Sequence, residues 1–293
     1  MGNLLVTALL RGGMYSLMAV GLSLVYGVMN VANFAHGEQY MVGTYLGYFF
    51  FAVLGLNPIL AMFMALIGGF ILGVVTERLI FSPLRKRSGK NWVMNTFLLT
   101  LGFALILKNG MKLLFGNSYR GISSYYDGTI MLADITVSKD RVVAFVIAVV
   151  LIGIMMFFLN KTRFGRAIRA VSMDATGAKL VGINLKTIYY VTFGLSCAFA
   201  ALSGAALLSL TPAYPTNGTQ ALYASWVVLI LVGMGNVGGS IVGGIIVGVL
   251  ETICIQYLGA AWQDVFTLGI VILLLLVKPN GLFGKKGVKS VVE

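Results

Sequence analysis

His36 is the only histidine of the chain, and Glu38 lies two residues beyond it. An imidazole beside a carboxylate can pass a proton. On a helix, however, residues two apart point to different faces, so this spacing serves proton transfer poorly. A structural alternative is that Asn33 caps a helix and Glu38 occupies its favourable first turn. A third is that these groups line a polar path. That path would also take in Asn30 and Asn33, which interrupt the apolar run Val28-Met29-Asn30-Val31-Ala32-Asn33, and Asn236 within Gly235-Asn236-Val237-Gly238-Gly239. Breaks of this kind in an apolar body are tolerated where they line protein or water; ordinary turns between elements are the alternative. Glu251 and Asp264 are acids in or beside other apolar runs, and each is a functional candidate by default, with Gln256 and Lys278 as possible partners. Ser203-Gly204 with His36 would suit an intramembrane hydrolase, although a Ser-Gly pair in a Gly/Ala-rich helix more simply packs. Cys197 and Cys254 imply neither a disulfide framework nor a metal site. No residue is assigned a catalytic, metal-binding or cofactor-binding role.

The elements that must position these groups are membrane-spanning. Thr187 to Leu250 contains no Asp, Glu, Lys or Arg, and only 10% of the 293 residues are charged, against about 25% in ordinary globular chains. A charge at the bilayer centre costs roughly 2.5–3.5 kcal/mol even on a lenient scale, so a bilayer requires such a stretch. Continuous rather than alternating apolar runs argue against a barrel. Spans are expected at about 12–29, 35–54, 58–77, 92–112, 142–160, 188–209, 221–235, 239–257 and 262–277. Eight to ten such helices fit the length, and residues 1–293 read as a single all-α integral membrane domain. The stretch 221–235 is short for a full crossing. The first apolar run continues past Arg11 without a cleavage site, so no removable signal is expected.

Charge sets the orientation. Arg85, Lys86, Arg87 and Lys90 fall in one loop; Lys161, Arg163, Arg166, Arg169, Lys179 and Lys186 oppose Asp174 alone in another. The tail carries Lys278, Lys285, Lys286 and Lys289 against Glu293. Arg120, Lys139 and Arg141, by contrast, are balanced by Asp127, Asp134 and Asp140. Positive loops stay inside, so the first three segments are cytoplasmic and the balanced loop external. Parity then places the N-terminus outside, against which Arg11 argues, unless the first segment is broken or re-entrant. This clustering beside apolar spans also accounts for the net charge of +12 without nucleic acid.

The loop 161–186 is the most structured of these. Ile168, Val171, Ala175, Ala178 and Val181 are apolar at helical spacings, Asp174 suits a helix start and Gly182 a helix end. One or two short helices on the inner face are expected, serving either as a handle for a soluble partner or as an amphipathic contact with anionic lipid. Gly69…Gly73, Gly239…Gly243 and Gly244…Gly248 provide small faces for helix packing, within the chain or against a partner.

Four patches carry a resemblance. Thr162-Arg163-Phe164-Gly165-Arg166-Ala167-Ile168-Arg169-Ala170-Val171, with Asp174, Ala178 and Leu180-Val181-Gly182-Ile183-Asn184, resembles the cytoplasmic signature loop of ABC importer permeases of the branched-chain amino-acid class. Gly27-Val28-Met29-Asn30-Val31-Ala32-Asn33-Phe34-Ala35-His36-Gly37-Glu38, followed by Met41-Val42-Gly43-Thr44-Tyr45, is similar to its N-terminal signature. So are Gly233-Met234-Gly235-Asn236-Val237-Gly238-Gly239-Ser240, with Gly243-Gly244, and the closing Lys278-Pro279-Asn280-Gly281-Leu282-Phe283-Gly284. The patches span nearly the whole chain in the right order and fit the H-subunit type of that class. The N-terminus is short for that type, and Asn236 and Gly239 stand where other residues are more usual.

The resemblance implies a polytopic helical permease of a bacterial inner membrane, a transport subunit rather than an enzyme, with no cofactor. Its implied partners are a second related permease, two cytoplasmic ATPase subunits and an extracytoplasmic substrate-binding protein. The ATPases would hydrolyse ATP, since this chain has no G-x-x-x-x-G-K-[ST] phosphate loop. Gly165, Arg166, Arg169, Asp174, Ala178 and Gly182 would form the coupling element, the glycines allowing close approach. Leucine, isoleucine and valine are the implied substrates; other amino acids, urea and short amides remain open. An ion-coupled secondary transporter is the competing class, disfavoured by few buried acids and an elaborate basic loop.

Overall fold

The structure, a computed structural model, describes residues 2–88, 92–132 and 135–284. Lys90, Asp134, Lys285, Lys286, Lys289 and Glu293 lie outside the described residues. The membrane-scale helices are α1 (Gly2–Met29), α2 (His36–Tyr48), α3 (Pro58–Thr76), α5 (Trp92–Phe115), α6 (Lys139–Lys161), α9 (Leu185–Ala206), α10 (Gly218–Val232), α11 (Val237–Tyr257) and α12 (Gln263–Val277). Short helices α4 (Ser82–Arg87), α7 (Arg163–Met173) and α8 (Ala175–Leu180) lie between them. Two π turns, Phe49–Val53 and Glu77–Phe81, prolong α2 and α3, so that α3 runs on into α4. Among the described residues seven helices are long and apolar enough to cross a membrane, while α10 is the short apolar one. With α2 these correspond to the nine expected spans.

The first span departs from expectation. Helix α1 is continuous from Gly2 and contains Arg11, rather than starting after it. The cation is accommodated because Glu251 of α11 lies 3.8 Å away, so it does not behave as a free topological charge. The break falls later. Asn30 takes φ +51°, a left-handed conformation that Asn tolerates better than most residues, and its N–H still bonds back to the Tyr26 carbonyl. The chain then runs without helix to His36. Helix α10 stops in the same way at Gly233, at φ +100°.

Helices α1 and α9 form the enclosed centre, packed against α11, α3 and α2, whereas α5 and α12 are largely open along their lengths. Lipid is as apolar as leucine, so helices in a bilayer gain most from close van der Waals packing. Accordingly Gly244 and Gly248 of α11 pack against Ser16 and Gly12 of α1, and Gly69 and Gly73 of α3 pack against α9. These small faces, and Gly243 against Val232, serve packing within the chain.

The loop between α5 and α6 contains a hairpin, β1 (Thr129–Leu132) antiparallel to β2 (Ile135–Ser138), which no apolar periodicity had indicated. Asp140, in the first turn of α6, accepts from the N–H groups of Tyr125 and Tyr126, tying this loop to the helix. Burial raises the Tyr125 phenol above its ordinary pKa, with the Asp140 charge adding to the effect.

Candidate functional site

The basic loop folds as two capped helices. Thr162 opens α7 by accepting from Gly165 N–H at 3.0 Å, Asp174 opens α8 by accepting from Thr176 N–H at 2.9 Å, and Asn184 opens α9 by accepting from Lys186 N–H at 3.1 Å. Gly182 follows α8 at φ +87°. Ile168, Val171 and Ala178 turn inward and are buried against the bundle. Gly165 is buried too: a Cβ there would collide with the Phe158 and Leu159 carbonyls at the end of α6. Gly165 and Ala178 thus join the loop to its own protein, and the left-handed turn at Gly182 needs no outside partner to explain it.

What the loop presents outward is Arg163, Arg166, Arg169 and Lys179, with an apolar tip. Met173, Leu180 and Val181 are 80%, 84% and 77% exposed. Val181, grouped by its spacing with Ile168 and Val171, points out where they point in, because α8 ends at Leu180 and the helical spacing no longer applies. Leu180 and Val181 fall within the signature-like run, but the tip carries no charge and its exposure is recognisable only once the inward face has been taken by other apolar residues. Arg169 donates to the Asn160 side chain at 2.6 Å, and Arg166 reaches the Lys161 carbonyl at 3.5 Å.

Behind the loop lies a cavity of about 1060 Å³. It brings Arg169 together with Asn30 and Asn236. Its wall is a knot of close backbones: Gly27 against Gly235, Gly233 against Asn280 and Gly284, with Leu282 and Phe283 N–H groups bonded to the Leu231 and Val232 carbonyls. Asn236 caps α11 through Gly239 N–H at 2.9 Å and donates to the Phe283 carbonyl at 3.2 Å. Four sequence segments far apart in the chain therefore meet on one face.

Asn33, His36 and Glu38 do not line this cavity. Asn33 accepts from Ala35 N–H at 3.1 Å, just ahead of α2, and the cap residue of α2 is Ala35 with no side-chain bond. The His36 Nε2 lies 3.0 Å from the Met18 carbonyl, joining α2 to α1. Phe34 stacks on Trp226 of α10 and meets Phe97 of α5 edge-on, which anchors the break between the helices. The Ser203 hydroxyl donates to the Phe199 carbonyl at 2.8 Å, so the serine is spent on its own helix and not on the imidazole.

The acids find partners that spacing did not indicate. Glu251 accepts from the Tyr15 hydroxyl at 2.5 Å and faces Arg11, not Gln256. Asp264 is met by the neighbouring Gln263 amide at 3.3 Å, not by Lys278. Glu77 pairs at 2.8 Å with Arg85, eight residues on.

Residues 4–276 match the family described as branched-chain amino acid transport system / permease component. The chain is 29% identical to the high-affinity branched-chain amino acid transport system permease protein BraD of Pseudomonas aeruginosa, over 98% of this chain and 97% of that protein. It is 29% identical to the corresponding permease LivH of Salmonella typhimurium, over 96% and 94%. The probable permease LivH of Methanocaldococcus jannaschii is 28% identical, over 94% and 90%. No solved structure matches the chain.

Proposed function

The chain belongs to the permease-component family of branched-chain amino acid transport systems, and on that premise we propose how it takes up the work of ATP hydrolysis. It is a multi-pass permease of the bacterial inner membrane, a transport subunit and not a catalyst. In our reading two cytoplasmic ATPase subunits grip α7 and α8, a second related permease completes the translocation path, and an extracytoplasmic binding protein delivers substrate. Branched-chain amino acids are the proposed cargo, after the activity named for the relatives.

The observation that carries the coupling role is the division of labour within residues 161–186. Caps and buried apolar residues lock α7 and α8 to the ends of α6 and α9, leaving Met173, Leu180 and Val181 exposed among Arg163, Arg166 and Lys179. A rigid knob with an apolar tip and a cationic rim suits a groove with an acidic edge. Force applied to it passes directly to α6 and α9. Arg166 and Arg169 supply charge at the rim; Gly165, Asp174, Ala178 and Gly182 hold the knob's shape. The cavity bounded by Asn30, Asn236 and Arg169 becomes the inner mouth of the path, and Asn33 and His36 pin the break at its side. Glu38 is partly buried near the same break, and we assign it to the path wall. Lipid contact is the competing role for the knob.

Replacing Arg166 and Arg169 together by Glu tests the choice. In reconstituted vesicles containing the chain and its copurifying partners, substrate-stimulated ATP hydrolysis should fall to the basal level while the chain remains inserted. Undiminished stimulation would remove the loop from the coupling role.

A further inference from the structure

A second cavity, of about 290 Å³, lies at the opposite end of the bundle from the basic loops, among α1, α2, α6, α10, α12 and the turn after α9. It contains none of the polar residues already assigned to a path. Its size is at the lower bound of small-molecule sites, roughly 300–1,000 Å³. At about 30 Å³ per water it has room for about ten waters, or for one free amino acid of leucine's bulk.

Its chemistry is that of a zwitterion site with an apolar side. Two guanidiniums, Arg11 from α1 and Arg141 from the start of α6, line it. Glu251, itself 3% exposed and behind the wall, offsets only Arg11, at 3.8 Å. Arg141 has no ion-pair partner among the described residues. Glu251 and the nearby Asp264 balance the two cations in number, but Arg141 is ion-paired to neither, and its guanidinium fork matches a carboxylate in two-point contact. Asn217, 3% exposed, donates its amide N–H to the Pro212 carbonyl at 3.2 Å, while its Oδ1 accepts no hydrogen bond among the described residues. A buried acceptor of this kind calls for a donor. Met14 and Leu207 add apolar wall.

We propose that this cavity is an entry subsite for an aliphatic α-amino acid, with Arg141 and Arg11 taking the carboxylate, Asn217 Oδ1 the ammonium, and Met14 and Leu207 the side chain. It rests on the permease reading above and adds that the permease itself selects for a zwitterion with an apolar tail. A carboxylate on a docked protein offers similar chemistry to the arginines, but Asn217 and Met14 are buried, which favours a small free ligand.

The test is saturable binding of labelled L-leucine to the full chain in lipid nanodiscs. Isoleucine should compete, whereas leucinol, which lacks the carboxylate, and 4-methylpentanoate, which lacks the ammonium, should not. Arg141→Gln should weaken binding at least about tenfold, the loss of roughly one charge-assisted contact. Arg141→Lys should recover part of it, which a purely structural arginine would not predict. Equal leucine affinity in wild type and Arg141→Gln would overturn the assignment. So would a variant that binds leucine normally but loses affinity for an extracytoplasmic partner, since the arginine would then serve docking. Leucine uptake by cells carrying the complete importer separates the two levels of inference. Intact uptake with no saturable binding by the chain at millimolar leucine removes the subsite and leaves the permease; absent uptake of any branched-chain amino acid removes the cargo reading itself.

Discussion

Glu77 is fully buried, and its carboxylate is tolerable because Arg85 lies 2.8 Å away, with its guanidinium 4.0 Å over the Tyr189 ring and 4.9 Å from that of Trp92. The two partners are not equivalent. Arg85 keeps some access to water and Glu77 has none. Removing the arginine strands a buried charge, which costs about 3–5 kcal/mol, whereas Glu77→Gln keeps an acceptor for the guanidinium and leaves its unpaired charge on the partner that still reaches water. Arg85→Ala should therefore lower the thermal midpoint far more than Glu77→Gln. A thiol-reactive dye can read the transition, since Cys197 and Cys254 are both buried and become reactive on unfolding. Equal midpoints would mean that water reaches Glu77. Gly43 sets a harder limit: any Cβ there meets the Ala201 backbone of α9, which has no rotamer through which to yield. Gly43→Val should cost about 1–3 kcal/mol by overpacking in the same assay.

Within α7 and α8 the buried and exposed faces make separable predictions. Leu180→Asp and Val181→Asp place charge on side chains that already face out, so the thermal midpoint should stay near wild type while stimulated ATP hydrolysis falls. Ala178→Asp buries a charge at a 5% exposed position and should lower the midpoint as well. Thr162→Ala removes one cap and should cost about 1 kcal/mol. If the Leu180 and Ala178 variants behaved alike, the tip would be structural. Much of this element is legible in sequence, because caps and left-handed turns are local: Asp174 and Gly182 announce the ends of α8 without reference to anything distant. The break after Met29 is legible for the same reason, Asn30 being a residue that accepts a positive φ. The partners of Glu77 and Glu251 are not legible, since they depend on where α4 and α1 pack, and no periodicity reports that. The outward turn of Val181 escapes for a related reason: apolar spacing assigns a face only while the helix lasts.

At the scale of the whole molecule the unresolved question in the sequence is which way α1 runs, because a cation in a first helix ordinarily argues for the cytoplasm. Helix α1 answers by direction. Its C-terminal end, Gly27 to Asn30, borders the cavity behind the basic loop, while Arg11 shares the opposite cavity with Arg141 and Gln263 at the starts of α6 and α12. The two ends of α1 thus belong to opposite faces, and if Lys161–Lys186 is cytoplasmic the N-terminus is outside. Arg11 does not contradict this, since Glu251, itself bonded by Tyr15, faces it within the bundle in place of phosphate headgroups. Both native cysteines are buried, so a single introduced cysteine reports its own side of the membrane. Ser118→Cys, exposed in the loop between α5 and α6, should react with a membrane-impermeant maleimide in intact spheroplasts; Ser172→Cys, exposed on α7, should react only after the membrane is opened. A cysteine placed ahead of α1 should follow Ser118. If it followed Ser172 instead, α1 would have to cross the bilayer in the opposite sense, and neither the entry cavity nor the inner mouth could lie on the face assigned to it.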